Sequence, residues 1–538
     1  MRKILIAFLI LNLFLQKAIS QNKPEIEWEK TYGGYSREDF SMILPTTGNG
    51  YILAGSTVSN DGDIKSGNAG WDDFWVISIN QNGEIIWEKT YGDIKDEVLT
   101  VIQQAPDGGF LLGGFTNTFT EEQIMQKRLY DFVIYKIDNK GSTIWKKTFG
   151  GNGDDILQAI QPTPDGGFLL GGRTCSVDGD VQSRNGLTYD YFERDMWVIK
   201  IDKNGVLQWE KTYGKNYSAE ILNCFFPLND GYLLGGSSTR NKNGDTPQGV
   251  NGPSYFCLIK IDFNGNVIWE KRYGGSGNEN MAKILKTNDG GYLLAGSTSS
   301  VDGDIHTRTR IDYYYYWDID YWVVKVDNSG NLEWEKSYGN IGWDNLNSCC
   351  STSNGGYMLV GVSDSDVSDI NSENPAQFDC WVINIDSVGN IIWDAKYGGS
   401  NDDSFNAIIP TKDGEYLFGG TTKSNDGDIK SGNHGAQNPW THGRMDIWVM
   451  KSNSKLSSTN KIITDNTNFY PNPVSDKLQI NFNEEGVVSV FDFFGKLLLQ
   501  QSITKYNNVI NVSSIPSGTY ILNFNSKEHF ESSKFIKM

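Results

Sequence analysis

Carboxylates are the residues of this chain whose type and spacing are best suited to chemistry, and they recur in three patterns. The first is Asp-Gly-Asp, at Asp61 and Asp63, Asp178 and Asp180, Asp302 and Asp304, and Asp426 and Asp428. Two carboxylates on one turn supply part of the roughly six to eight oxygens that Ca2+ takes, but the EF-hand spacing and its distal bidentate Glu are absent. The pattern therefore reads first as Asx-type turns in which each Asp satisfies loop amides; Ca2+ is the one cofactor the chain suggests. The second pattern is an Asp opening an apolar run, at Asp73, Asp131, Asp195, Asp320, Asp379 and Asp446, with Ser254 at the seventh place. Such regularity points to a shared scaffold task, tying down the adjoining loop. The third comprises Asp39, Asp96, Asp155, Asp344 and Asp403, expected to ring a channel mouth, where paired carboxylates would suit acid/base work on a glycoside.

Aromatic side chains give the other candidate site. Of 16 tryptophans, four fall outside the regular repeat positions: Trp71, Trp317, Trp343 and Trp440. All four fall in loops expected on one face, which also carries Tyr313, Tyr315 and Tyr191. On an acidic protein, exposed aromatic groups suit sugar rings or a protein partner; the competing reading is that they close small cores under their own loops. His306, His434 and His442 lie in long loops without a zinc spacing. The six cysteines do not recur from repeat to repeat and read as buried free thiols.

Net charge is −19 and pI about 4.7, which argues against nucleic acid and anionic membranes as partners. Arg2 and Lys3, the apolar run Ile4 to Leu15, and small residues at Ala18 and Ser20 read as a signal peptide over residues 1–20. No later stretch is apolar enough for a membrane helix, so no span is expected in the mature chain.

The elements that must position these residues follow from a repeat. Trp28-Glu-Lys-Thr-Tyr-Gly-Gly34 returns at Trp87, Trp145, Trp209, Trp269, Trp334 and Trp393, a period that marks a repeat architecture. One unit reads as four strands: Ser41 to Thr47, Tyr51 to Thr57, Phe74 to Ile79 and Glu84 to Tyr91, joined by Asn-Gly or Asp-Gly turns and one long loop. The second and third strands are nearly continuous apolar runs and should be buried on both faces. Such sheets in series pack on their own copies, and the all-β arrangement that removes the ends is a β-propeller. A lone fourth strand at the start and three strands without a fourth at the end complete each other. This predicts a seven-bladed propeller over residues 21–452, closed by its N-terminal strand. The second-to-third loops are long and differ between blades, so the site is expected on their face. The repeat tryptophans, and Trp75, Trp197, Trp322, Trp381 and Trp448 on third strands, should pack between blades.

Ile201-Asp-Lys-Asn-Gly-Val-Leu-Gln-Trp209 resembles the core of quinoprotein-type propeller repeats, and Tyr232-Leu-Leu-Gly-Gly236 is similar to the double glycine of kelch repeats. Both imply fold alone. Adjacent Cys349 and Cys350 resemble the cysteine pair of some quinoprotein dehydrogenases, but they sit on a first strand and no role is carried over.

Residues 453–468 read as a Ser/Asn/Thr/Lys-rich linker. Beyond it, Phe469-Tyr-Pro-Asn-Pro-Val474, Leu478 to Phe482, Val488 to Lys496, Ser517 to Phe524 and Lys534 to Lys537 give the short strands of a small Ig-like β-sandwich over 469–538. This module closely resembles the type A C-terminal sorting domain of the type IX secretion system. The resemblance implies a bacterium of the Bacteroidetes kind, engagement of the type IX machinery, and release or attachment at the outer cell surface. The expected function is a non-catalytic exported module that binds an extracellular glycan or protein. The alternatives are a polysaccharide-processing enzyme using the mouth carboxylates, and a structural surface-layer component.

Overall fold

The computed structural model describes residues 24–117, 129–184, 193–214, 218–239, 253–308, 318–340, 342–364, 377–434 and 445–453, and then 469–470, 474–480, 486–491, 497–504, 508–526 and 530–537. The expected signal peptide lies outside the described residues. The chain divides into two compact units at Ser454 and Lys455. Among the described residues no helix is long and apolar enough to cross a membrane.

The first unit is a seven-bladed propeller of four-stranded antiparallel sheets. Blade 1 runs Glu38–Pro45, Tyr51–Thr57, Asp73–Ile79 and Ile85–Tyr91 in that spatial order. The first strands of successive blades touch around a complete circle, blade 7 meeting blade 1, so they line the centre and the fourth strands form the rim. In blade 7, Asp403–Pro410, Tyr416–Thr422 and Asp446–Ser452 are completed by Ile26–Tyr32 from the chain start, with Trp28 opposite Lys451 and Tyr32 opposite Ile447. The second and third strands of blade 1 are buried at every position, as their apolar runs require.

The repeat motif stitches each blade to the next. The fourth-strand tryptophan lies against the third-to-fourth turn glycine of the following blade: a Cβ on Gly83 would stand 2.9 Å from Trp28, and one on Gly141 2.9 Å from Trp87. The motif tyrosine donates its hydroxyl to the carbonyl of the same turn glycine, from Tyr32, Tyr91, Tyr213, Tyr273 and Tyr338, at 2.6 to 2.8 Å. At the closing seam, where the turn is absent, Tyr397 donates to the Pro24 carbonyl instead. The motif Glu accepts the indole N–H of the third-strand tryptophan, Trp75 to Glu88 and Trp322 to Glu335, both at 3.0 Å. The third-strand tryptophans are buried. Six of the seven fourth-strand tryptophans are only half-buried, because they sit on the rim over a glycine; Trp393, beside the seam, is the buried exception.

The second unit holds two sheets. Phe469–Tyr470, Lys477–Ile480 and Val509–Asn511 form one; Leu497–Ile503, Gly486–Phe491, Gly518–Ser526 and Phe530–Lys537 form the other. Val474, Leu478, Val488, Val490, Leu522 and Phe524 make its core.

Candidate functional site

The elaborated face is built on backbone clamps. Asp61 Oδ1 accepts the Tyr35 amide at 2.7 Å and Asp63 Oδ2 accepts the Gly33 amide at 3.2 Å, while the Asp63 amide returns a bond to the Gly33 carbonyl. Asp178 and Asp180 hold Asn152 and Gly150 in the same way, Asp302 and Asp304 hold Ser276 and Gly274, and Asp426 and Asp428 hold Ser400 and Gly398. The central glycine has φ between 64° and 71° in all four copies, and a Cβ would stand 2.2 or 2.3 Å from the clamped carbonyl, so only glycine fits. Each Asp-Gly-Asp thus locks the loop entering its own blade. Among the described residues no group of three or more His, Cys, Asp or Glu side chains converges as a metal ion would require. The clamps occur in blades 1, 3, 5 and 7, so the ring brings two of them side by side, and residues 59–68 and 424–433 there are identical in sequence.

Inside this face lies a ring of seven buried carboxylates, of which the sequence reading named Asp155, Asp344 and Asp403, took the neighbouring Asp39 and Asp96 in place of Glu38 and Glu97, and missed Glu220 and Glu279. First strands begin at Glu38, Glu97, Asp155, Glu220, Glu279, Asp344 and Asp403, three residues before the apolar pattern suggests in blade 1. All seven are buried. Their carboxylates accept from second-strand hydroxyls of the same blade, as Glu38 does from Thr57 at 2.8 Å and Glu279 from Thr298 at 2.8 Å. Burial pushes Glu38, Asp155 and Glu279 up to about 7, and Asp344 and Asp403 up to about 6, despite those hydrogen bonds. Of the expected mouth carboxylates, Asp155, Asp344 and Asp403 are therefore enclosed within blades. Asp39 is paired with Arg37 at 3.1 Å, and Asp96 accepts from the Asn117 amide at 2.8 Å. A constant spacing of six residues after the motif aromatic, seven in blade 4, was the available signal for the true ring.

Third-strand Asp residues hold their loops: Asp73 accepts the Ala69 amide at 2.7 Å, Asp320 pairs with Arg308 at 2.9 Å, and Asp446 accepts both the amide and Nδ1 of His434 at 2.7 Å. Cys349 and Cys350 are buried, with thiols pushed up to about 11 and about 12, and no disulfide joins any of the six cysteines.

Two of the candidate aromatic residues lie within the described structure. Trp71 is 78 % exposed. Its loop is nonetheless fixed: Asn68 donates to the carbonyls of Thr57 and Trp71 at 2.9 and 3.0 Å and accepts the Gly70 amide at 2.9 Å. Trp343 is half-buried and meets Phe378 edge-on, ring centroids 6.4 Å apart at 85°. The pair walls a cavity of about 540 Å3 between blades 6 and 7, completed by Asn345, Asn347, Ser404, Thr421 and Lys423 among others. Trp317, Trp440, Tyr313, Tyr315 and Tyr191 lie outside the described residues. Sequence reasoning missed the cavity's polar wall, which no local pattern marks.

Residues 468–538 match the family described as a secretion system C-terminal sorting domain. The second unit is thus a type IX sorting domain, and the chain is exported to the outer surface or the medium. Over 185 residues, 33 % of this chain, the sequence is 23 % identical to the Regulatory protein FlaEY of Caulobacter vibrioides; the match covers 19 % of that protein's length. Among solved structures, the chain is similar to the WD40 domain of Neurospora crassa Pan2, at 10 % identity and TM-score 0.41 over 77 % of this chain and 89 % of that one. It is also similar to the WD40 β-propeller domain of Doa1, at 10 % identity and TM-score 0.41 over 80 % and 98 %. The seven-blade assignment rests on strand pairing and not on these likenesses.

Proposed function

We propose that the chain is an exported, non-catalytic binding module that takes a glycan or a protein on its elaborated face, its sorting domain being the part that engages the type IX machinery. The observation that carries this reading is Trp71: a large apolar ring held in water by a loop whose backbone is pinned by Asn68 and Asp73. Leaving such a ring exposed has no folding benefit, whereas a rigid aromatic platform binds at low entropic cost. The clamped loops of blades 1, 3, 5 and 7 supply the same rigidity around the face. A glycan array and a surface-protein binding screen of the mature chain test the reading, with each glycan hit checked for product by mass spectrometry. Binding without product, lost in Trp71→Ala at unchanged thermal stability, is the expected result. Released product would transfer the case to a polysaccharide-processing enzyme, and the absence of any ligand to a structural coat.

A further inference from the structure

We infer that the cavity between blades 6 and 7 is a subsite for one uncharged sugar ring of a glycan. The inference rests on the binding-module reading and gives it a chemical class. At about 540 Å3 the cavity falls within the roughly 300–1,000 Å3 typical of small-ligand sites. One wall is aromatic: Trp343 is held at its backbone by the Asp364 carboxylate and a bridge to Ile319, with Phe378 set perpendicular to its ring. This is a pre-positioned apolar surface for the C–H face of a pyranose. The rest of the lining includes the uncharged polar side chains of Asn345, Asn347, Ser404 and Thr421. Asn345 accepts from Ser297 at 2.9 Å and donates to Asn347 at 2.8 Å, Asn347 donates to the Phe405 carbonyl at 3.0 Å, and Ser404 meets Thr421 at 3.1 Å. Each of these amides has a second N–H by valence, so the chain of bonds orients donors and acceptors without exhausting them. Three charged residues also line the cavity. Lys423 pairs with Asp402 at 2.9 Å, and Asp403 is turned into the blade, accepting from Thr422 and Ser424. Two carboxylates against one ammonium in the lining disfavour a uronate, sulfate or phosphate, and a hydroxyl-rich neutral ring suits the aromatic and amide groups.

The test titrates the mature chain with neutral oligosaccharides and with uronate-bearing or sulfated ones of equal length, following intrinsic tryptophan fluorescence and calorimetric heat. Trp343→Ala and Asn345→Ala should each weaken neutral-glycan binding about tenfold or more, the scale of a contact central to an interface. Trp343→Phe should retain part of the affinity, and thermal melts identify any variant that has lost its fold. Preference for the acidic glycans overturns the inference. So does neutral-glycan binding that survives both cavity substitutions but falls in Trp71→Ala, an outcome that keeps the binding-module reading and moves its site. A protein ligand lost on Trp343→Ala would reassign the cavity to a side-chain pocket, and a mature chain that binds neither class removes the broader reading as well.

Discussion

Replacing Glu335 by Ala should destabilise the propeller more than its position on a rim strand suggests. Its carboxylate accepts the amides of His306 and Thr307 at 3.0 and 3.1 Å, the Thr307 hydroxyl at 3.0 Å and the Trp322 indole N–H at 3.0 Å. Trp322 is fully buried, so its N–H would lose its partner where water does not reach, at a cost of about 1–3 kcal/mol. The loop donors lie nearer the surface and can turn to water, and their loss brings the total to about 3 kcal/mol. For a propeller spanning residues 24–453, an unfolding entropy of about 2.1 cal/mol/K per residue sums to about 0.9 kcal/mol/K, so the midpoint should fall by about 3 °C. Glu84, exposed on the third-to-fourth turn of blade 1, provides the internal control. Its carboxylate accepts from the Asn80 side-chain amide at 2.7 Å in contact with water, so Glu84→Ala should cost less than about 1 kcal/mol. Differential scanning calorimetry of the two variants decides the matter. Equal shifts, or a shift under about 1 °C for Glu335→Ala, would refute the assignment of the motif Glu as the hub joining tryptophan and loop.

Three further outcomes are expected. The folded-state values of Glu38, Asp155, Glu279, Asp344 and Asp403 lie above those of the unfolded chain, so their stabilisation is complete below about pH 4 and is lost as pH rises through 6 to 7; the unfolding midpoint should be higher at pH 5 than at pH 8, and Glu279→Gln should flatten that slope. Phe149 stands where other blades carry the stitching tyrosine, with Trp145 already over Gly205, so Phe149→Tyr should add a bond to the Gly205 carbonyl and about 1 kcal/mol in denaturant titration. Because the Asp-Gly-Asp carboxylates are engaged by backbone amides, a chelator should leave the melting midpoint unchanged; a clear drop would show that a cation shares those turns.

How much was legible in the sequence depended on whether a residue's partner was local. The motif tryptophans, the Asn-Gly and Asp-Gly turns and the mismatched chain ends gave seven blades and their closure because each is a periodic or end effect visible in one pass. Glu38, Glu97, Glu220 and Glu279 escaped, and Asp155, Asp344 and Asp403 were read as mouth groups, because a carboxylate at a strand start reads as loop, and only burial such as that of Glu38 against Thr57 shows it as interior. The fourth-strand tryptophans were expected to pack between blades; they do so half-buried, because their neighbour is a turn glycine on the rim. Trp343 stood out as a tryptophan belonging to neither strand register. Its cavity did not, because Trp343, Phe378 and Ser404 come together only when blades 6 and 7 are side by side.

Seven is an odd number, and the clamped loops alternate. An even ring with this pattern could repeat without defect, every clamped blade flanked by two plain ones. Here parity forbids it: blades 7 and 1 are both clamped and carry the same ten residues next to each other, at the junction where the two chain ends are also joined. The disc therefore has an orientation mark. It adds to the differences among the long loops: no rotation by whole blades lays the pattern of clamps onto itself.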